Sequence, residues 1–136
     1  MRLVDESLFT ETPEGLALLG SRCADCEAHT FPRQSGCPRC TGSVLADVPL
    51  ARTGVLWSWT VQGFRPKPPY TGSEAYEPYG VGYVELPGQL IVETRLVESD
   101  PGKLRIGMPV ELAFVPFRDD DQGQVHTFAF VEAAHG

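Results

Sequence analysis

Along the second half of the chain, hydrophobic and polar positions alternate with the two-residue period of half-buried strands. From Gly54 onward, Val55, Trp57, Trp59 and Val61 alternate with Leu56, Ser58, Thr60 and Gln62. Tyr79 to Leu86 reads as a second strand, and Pro87-Gly88 turns it into a third, Gln89 to Val97, which Glu98 to Gly102 ends. Val110 to Phe117 and Val125 to Ala133 predict a final hairpin across a polar turn, Arg118 to Gln124. Five strands joined by short turns predict a small closed barrel, because closure leaves no sheet edge exposed. Residues 63–78 break the pattern. A run this long and proline-rich is no plain turn, and long loops are often functional.

The first half is less regular. Residues 1–15 are polar and aperiodic, an N-terminal arm in which Thr12 offers an N-cap and Pro13 a first helical position. Leu16 to Arg22 predicts a short strand entering a first cysteine pair, and Ala28 to Arg33 a strand returning with His29 and Phe31. A second cysteine pair follows, Thr41-Gly42 turns out of it, and Val44 to Leu50 crosses into the barrel. The chain thus divides into an arm (1–15), a cysteine ribbon (16–50) and a barrel (51–136), and the fold class is mainly β.

Composition agrees. Fourteen glycines and twelve prolines in 136 residues suit short strands and turns, and 42% hydrophobic residues suffice for a core. Charge narrows the function classes further. With 18 acids against 11 bases the formal net charge is −7. That balance opposes nucleic acid, whose affinity for proteins rests on basic side chains that release counterions, and it opposes anionic membrane surfaces for the same reason. No stretch approaches the roughly 18 apolar residues that span a bilayer, and Met1 to Glu6 lacks the apolar run of a signal peptide. The expected location is the cytoplasm, where paired cysteines more often bind metal than form disulfides.

The strongest chemical signal is Cys23-x2-Cys26-x10-Cys37-x2-Cys40. Zinc takes four soft ligands at tetrahedral corners, and two CxxC knuckles on facing turns supply them. Ten intervening residues are enough for one short hairpin. All four cysteines are used, so one structural zinc per chain accounts for every thiol. Iron fits the same ligand set, whereas a redox CxxC would be a single pair beside a βαβ unit. Such a site closes all four coordination positions, so its role is folding.

No catalytic constellation accompanies it. His29, His126 and His135 are scattered, and His126 is expected to be exposed or hydrogen-bonded at the surface of its strand. Asp119-Asp120-Asp121 reads as a solvated hairpin tip, because cation ligands are spaced and not consecutive. Trp57 and Trp59 are expected in the barrel core or at a seam with the ribbon; a base-stacking platform would lack a basic groove. Arg65 and Lys67 sit together among Pro66, Pro68, Pro69 and Tyr70. They form either two ordinary surface charges or a small cationic patch for a phosphate-bearing ligand or an acidic surface.

Together these motifs resemble a known family. Gly20-Ser-Arg-Cys-Ala-Asp-Cys26, Phe31-Pro-Arg33 and Cys37-Pro-Arg-Cys40 lead into Gly54-Val-Leu-Trp-Ser-Trp-Thr-Val61, followed by Pro78-Tyr79, Val84 to Gly88, Ile106-Gly107 and Val110. The order is similar to that of rubredoxin-like zinc ribbons fused to a five-stranded OB-fold barrel, long described as a domain of unknown function, over about residues 16–132. Glu27 stands where the family commonly has glycine. The resemblance implies a non-catalytic subunit or domain associated with thiolase-fold or acyl-CoA-handling enzymes, including acyl-CoA hydratases. Ser73 to Gly88 looks closest to members from bacterial steroid side-chain degradation. There the implied partner is a thiolase-like, lipid-transfer-protein-type aldolase (a lyase) that cleaves a steroid acyl-CoA by a retro-aldol step. On that basis Arg65, Lys67, Phe31, Phe64 and Tyr79 are expected to contact acyl-CoA or the partner subunit. The rival expectation is a zinc-ribbon/OB-fold module that binds nucleic acid, and the net charge opposes it.

Overall fold

The computed structural model describes residues 2–62 and 79–133. Ten strands follow in order: β1 (Arg2–Leu3), β2 (Phe9–Thr12), β3 (Gly15–Cys23), β4 (His29–Thr30), β5 (Leu45–Pro49), β6 (Thr53–Gln62), β7 (Tyr79–Leu86), β8 (Leu90–Leu96), β9 (Pro109–Asp120) and β10 (Gly123–Glu132). Strands β6 to β10 close a five-stranded barrel in the order β6-β7-β8-β10-β9, with β9 returning to β6. All neighbours are antiparallel except β8 and β10, which run parallel with Phe130 opposite Leu96. That is the expected barrel. Its Leu86–Leu90 hairpin turns at Gly88, whose φ of 74° an L side chain would resist.

The arm is not loose. Strand β1 runs parallel to β10, with Leu3 opposite His126, and β2 pairs antiparallel with β3. The helix start expected at Thr12 is instead a hairpin turn. Thr12 Oγ1 accepts the Glu14 N–H and donates to the Gly15 carbonyl, and Gly15 at φ 115° sends the chain back into β3. A capping side chain closes a turn with the same hydrogen bonds that start a helix, so the signal was ambiguous.

Other boundaries moved for local reasons. The returning ribbon strand is only His29–Thr30, because Pro32 has no N–H to extend a ladder. The last hairpin is longer than its polar residues suggest: Gln124 pairs with Asp119 and Val125 with Arg118. Residues 116–124 at its end are all exposed, so charge there costs little.

Trp57 departs most from expectation. A β-bulge between Leu56 and Ser58 shifts the β6 register against β7. Leu56 is fully buried and Trp57, next along the strand, points outward at 55% exposure; the extra residue of the bulge then brings Trp59 back onto the core.

The core joins ribbon and barrel. Phe9, Leu18 and Leu50 share one buried cluster with Leu56, Val84, Leu86, Leu96, Val110 and Phe130. Edge-to-face rings seal the seam: Phe9 lies 5.5 Å from Phe114 and 6.2 Å from Phe128, and Phe31 lies 5.7 Å from Phe128. Phe9→Ala is expected to cost about 3–5 kcal/mol by removing a buried ring from both modules. Chemical denaturation followed by tryptophan fluorescence measures it.

Strand β1 is fastened separately. Arg2 Nη1 and Nη2 donate to the two carboxylate oxygens of Asp120, each at 2.6 Å. This guanidinium, with the Gln122 N–H, lowers the Asp120 carboxyl to about 2. A carboxyl depressed on folding stabilises above its unfolded value, about 3.9, and that contribution vanishes as pH falls through the folded value. Protection of the β1 amides, taken as their exchange relative to the intrinsic rate at each pH, should therefore fall between about pH 4 and 2. In Asp120→Asn it should be low already at pH 7, with no such step.

Candidate metal centre

Two matching knuckles build the site. Strand β3 delivers Cys23, whose N–H donates to the Ala28 carbonyl while its own carbonyl accepts the Glu27 N–H. In the second knuckle the Thr41 N–H donates in the same way to the Cys37 carbonyl. Each knuckle then needs left-handed backbone one residue past its second cysteine: Glu27 has φ 66° and Thr41 φ 63°. Glycine adopts this conformation without strain; a residue with a Cβ pays roughly 1 kcal/mol. Glu27 thus keeps the knuckle geometry despite its side chain. Its carboxylate accepts from Arg22 at 2.8 Å.

The four sulfurs converge. All lie within 4.8 Å of one another, with Cys23 and Cys40 at 3.6 Å and Cys26 and Cys37 also at 3.6 Å. A tetrahedron of sulfurs about 2.3 Å from zinc has edges of about 3.8 Å, so the set fits the ion. The sulfurs of Cys37 and Cys40 differ as free thiols. The Cys40 and Arg39 N–H groups donate to Cys37 and lower it to about 7, with burial opposing. The Gly42 N–H acts to lower Cys40, yet the thiols of Cys26 and Cys23 and burial outweigh it and push Cys40 up to about 12. Zinc overrides such differences by binding all four as thiolates. The ribbon is the site of one structural zinc.

Gly42 supports it in a way the sequence did not reveal beyond a turn. A Cβ there would come within 2.6 Å of the Asp25 carboxylate, 3.3 Å of the Cys40 sulfur and 3.4 Å of the Cys23 sulfur. Only a backbone-bare residue lets the chain pass so close to the ligands.

The other expected site residues divide. Phe31 is half-buried in the aromatic seam, where its ring serves the joint between modules. Tyr79 opens β7, its backbone opposite Gln62. Phe64, Arg65 and Lys67 lie outside the described residues. His126 is not the exposed or hydrogen-bonded surface residue expected. It is half-buried beside β1, and its Nδ1 is buried with no hydrogen-bond partner among the described residues. A register shift between Val125 and His126 and the added strand β1 account for the difference.

Two variants test the centre. Cys37→Ser should leave the purified chain with far less than one zinc by elemental analysis and lower its melting temperature. Gly42→Val keeps all four sulfurs but should release zinc to a chelator at least ten times faster than wild type.

Comparison with known proteins matches this architecture piece by piece. The rubredoxin-like zinc ribbon domain of ChsH2 matches residues 16–45, and the C-terminal OB-fold domain of ChsH2 matches residues 47–115. Benzoylsuccinyl-CoA thiolase subunit BbsA of Thauera aromatica is 36% identical over 78% of this chain and 69% of its own. A DUF35 domain-containing scaffold protein of Methanocaldococcus jannaschii is 27% identical over 86% of this chain and 81% of its own. In the solved structure of an Ltp2-ChsH2(DUF35) aldolase, one chain superposes with a TM-score of 0.64 at 33% identity, covering 87% of this chain and 86% of that one. With its zinc ribbon, its OB-fold barrel and their order all accounted for, this chain belongs to the ChsH2 family.

Proposed function

We propose that this chain is a non-catalytic accessory subunit that binds and supports a thiolase-fold aldolase acting on a steroid side-chain acyl-CoA. The observation that carries the reading is the likeness to the Ltp2-ChsH2(DUF35) aldolase, which extends over ribbon and barrel alike. Relatives named as a thiolase subunit and as a scaffold protein support the accessory part of it. The ribbon's chemistry agrees, since a zinc ion with four sulfur ligands has no position left for substrate.

In this reading the arm (1–15), ribbon (16–50) and barrel (51–136) act as one scaffold in the cytoplasm. Arg65 and Lys67, with Phe64 and Tyr79, meet the CoA phosphates or the partner at the substrate entrance. Phe31 acts indirectly by holding the seam. No helix among the described residues is long and apolar enough to cross a membrane, and the net charge of −7 disfavours a nucleic-acid-binding role.

The test is an aldolase assay with a steroid side-chain β-hydroxyacyl-CoA, the enzyme being expressed alone or together with this chain. Co-expression should yield a co-eluting complex and restore soluble, active enzyme. Arg65→Ala with Lys67→Ala should raise KM several-fold or weaken the complex without changing zinc content. An enzyme equally soluble and active alone, with no co-elution, refutes the proposal.

A further inference from the structure

The outer face of the barrel carries a feature that neither zinc binding nor the core explains. Trp57 is 55% exposed and Tyr83 43% exposed, and their rings meet edge to face at 6.4 Å. Trp57 follows the fully buried Leu56 and so points outward, and the β6 bulge then returns Trp59 to the core side. A large apolar ring more than half exposed to water is a placement that folding alone does not favour. Ile106, at 72% exposure, stands on the turn whose Gly107 N–H donates to the Leu56 carbonyl, next to Trp57 along the backbone. Ile91, 40% exposed, lies opposite Glu85, two residues along β7 from Tyr83. Three of the seven large hydrophobics exposed among the described residues, Trp57, Tyr83 and Ile91, thus share one side of β6, β7 and β8, with Ile106 on the adjoining turn. Clustering of this kind marks an interaction surface.

Charge selects the occupant. Glu93 faces Tyr83 across the β7–β8 ladder and Glu85 faces Ile91, and both carboxylates are exposed. Neither is in an ion pair among the described residues. The bases nearby are engaged: Arg105 pairs with Glu132 at 3.5 Å, and Arg95 has an interaction of its own. An aromatic pair beside two carboxylates suits a cationic side chain, which stacks on the indole face while the acids take up its charge. The same acids repel CoA phosphates and nucleic acid. A second copy of this chain fits badly too, because a two-fold contact sets the same patch against itself and brings glutamates together.

We infer that the Trp57–Tyr83 face, flanked by Glu85 and Glu93, is where the enzyme subunit docks, through an apolar surface that carries arginine or lysine. The inference rests on the accessory-subunit reading for the identity of the partner. Trp and Tyr are the side chains that most often dominate such interfaces, and the contact between the two rings orders them before a partner arrives.

The experiment uses the zinc-loaded full chain and the purified thiolase-fold aldolase subunit from the same host, with affinity measured by calorimetry between 50 and 300 mM salt. Trp57→Ala and Tyr83→Ala should each weaken binding at least ten-fold while zinc content and melting temperature stay at wild-type values. Glu85→Lys with Glu93→Lys should weaken binding most at 50 mM salt and flatten its salt dependence. This second variant reads the same surface should Trp57→Ala disturb the fold. Binding within two-fold of wild type in the variants overturns the docking face and leaves the accessory function standing. Wild-type protein that does not bind the aldolase overturns both. A fall in self-association of the Trp57→Ala variant, without change in aldolase binding, assigns the face to a second copy and overturns the inference.

Discussion

Between Ala24 and Val44 almost nothing is buried: Thr30 and Cys37 are the two fully buried residues in a segment of loops and one two-residue strand. Hydrophobic burial cannot order such a segment, because each residue fixed costs about 1–2 kcal/mol of conformational freedom. The bond between four thiolates and zinc can, since metal binding in a site absent from the unfolded chain is itself folding free energy. The segment from Ala24 to Val44 depends on that one interaction. It explains why all four cysteines are committed to it, why Gly42 is bare, and why two residues with side chains accept left-handed backbone beside it.

Strand β3 carries this order into the barrel. Its first half pairs with β2 and buries Leu18 against Phe9; its second half pairs with β4 and β5 and ends on the ligand Cys23. One continuous strand thus has a metal ligand at one end and core residues at the other. The phenylalanine seam then fixes how the ribbon lies on β9 and β10. Ribbon and barrel are two motifs in the sequence but one core in the folded chain, and a partner would meet them as a single rigid surface.

How much of this was legible follows from what each feature depends on. The zinc ligands are encoded by residue type and spacing over 18 positions, so they could be read directly. The barrel strands are encoded by alternation, and their bounds came out within a few residues. Trp57 and Trp59 could not be assigned to opposite faces, because their separation depends on a bulge that arises from pairing with β7 and not from β6 itself. Thr12 misled because one side chain serves a helix cap and a hairpin turn alike. The partners of Phe9 and Phe31 are more than 80 residues away along the chain, beyond any local pattern. The inward contact of Phe31 with Phe128 was therefore not legible in the sequence.

The distribution of charge gives the last constraint. Glu85 and Glu93 are exposed on β7 and β8, on the face that carries Tyr83 and Ile91. Two carboxylates in no ion pair among the described residues, set among exposed apolar side chains, attract a cationic protein surface and repel a polyanion. The same acids that lower the affinity of this barrel for nucleic acid therefore also decide which of its faces a protein partner can use and a phosphate-bearing ligand cannot.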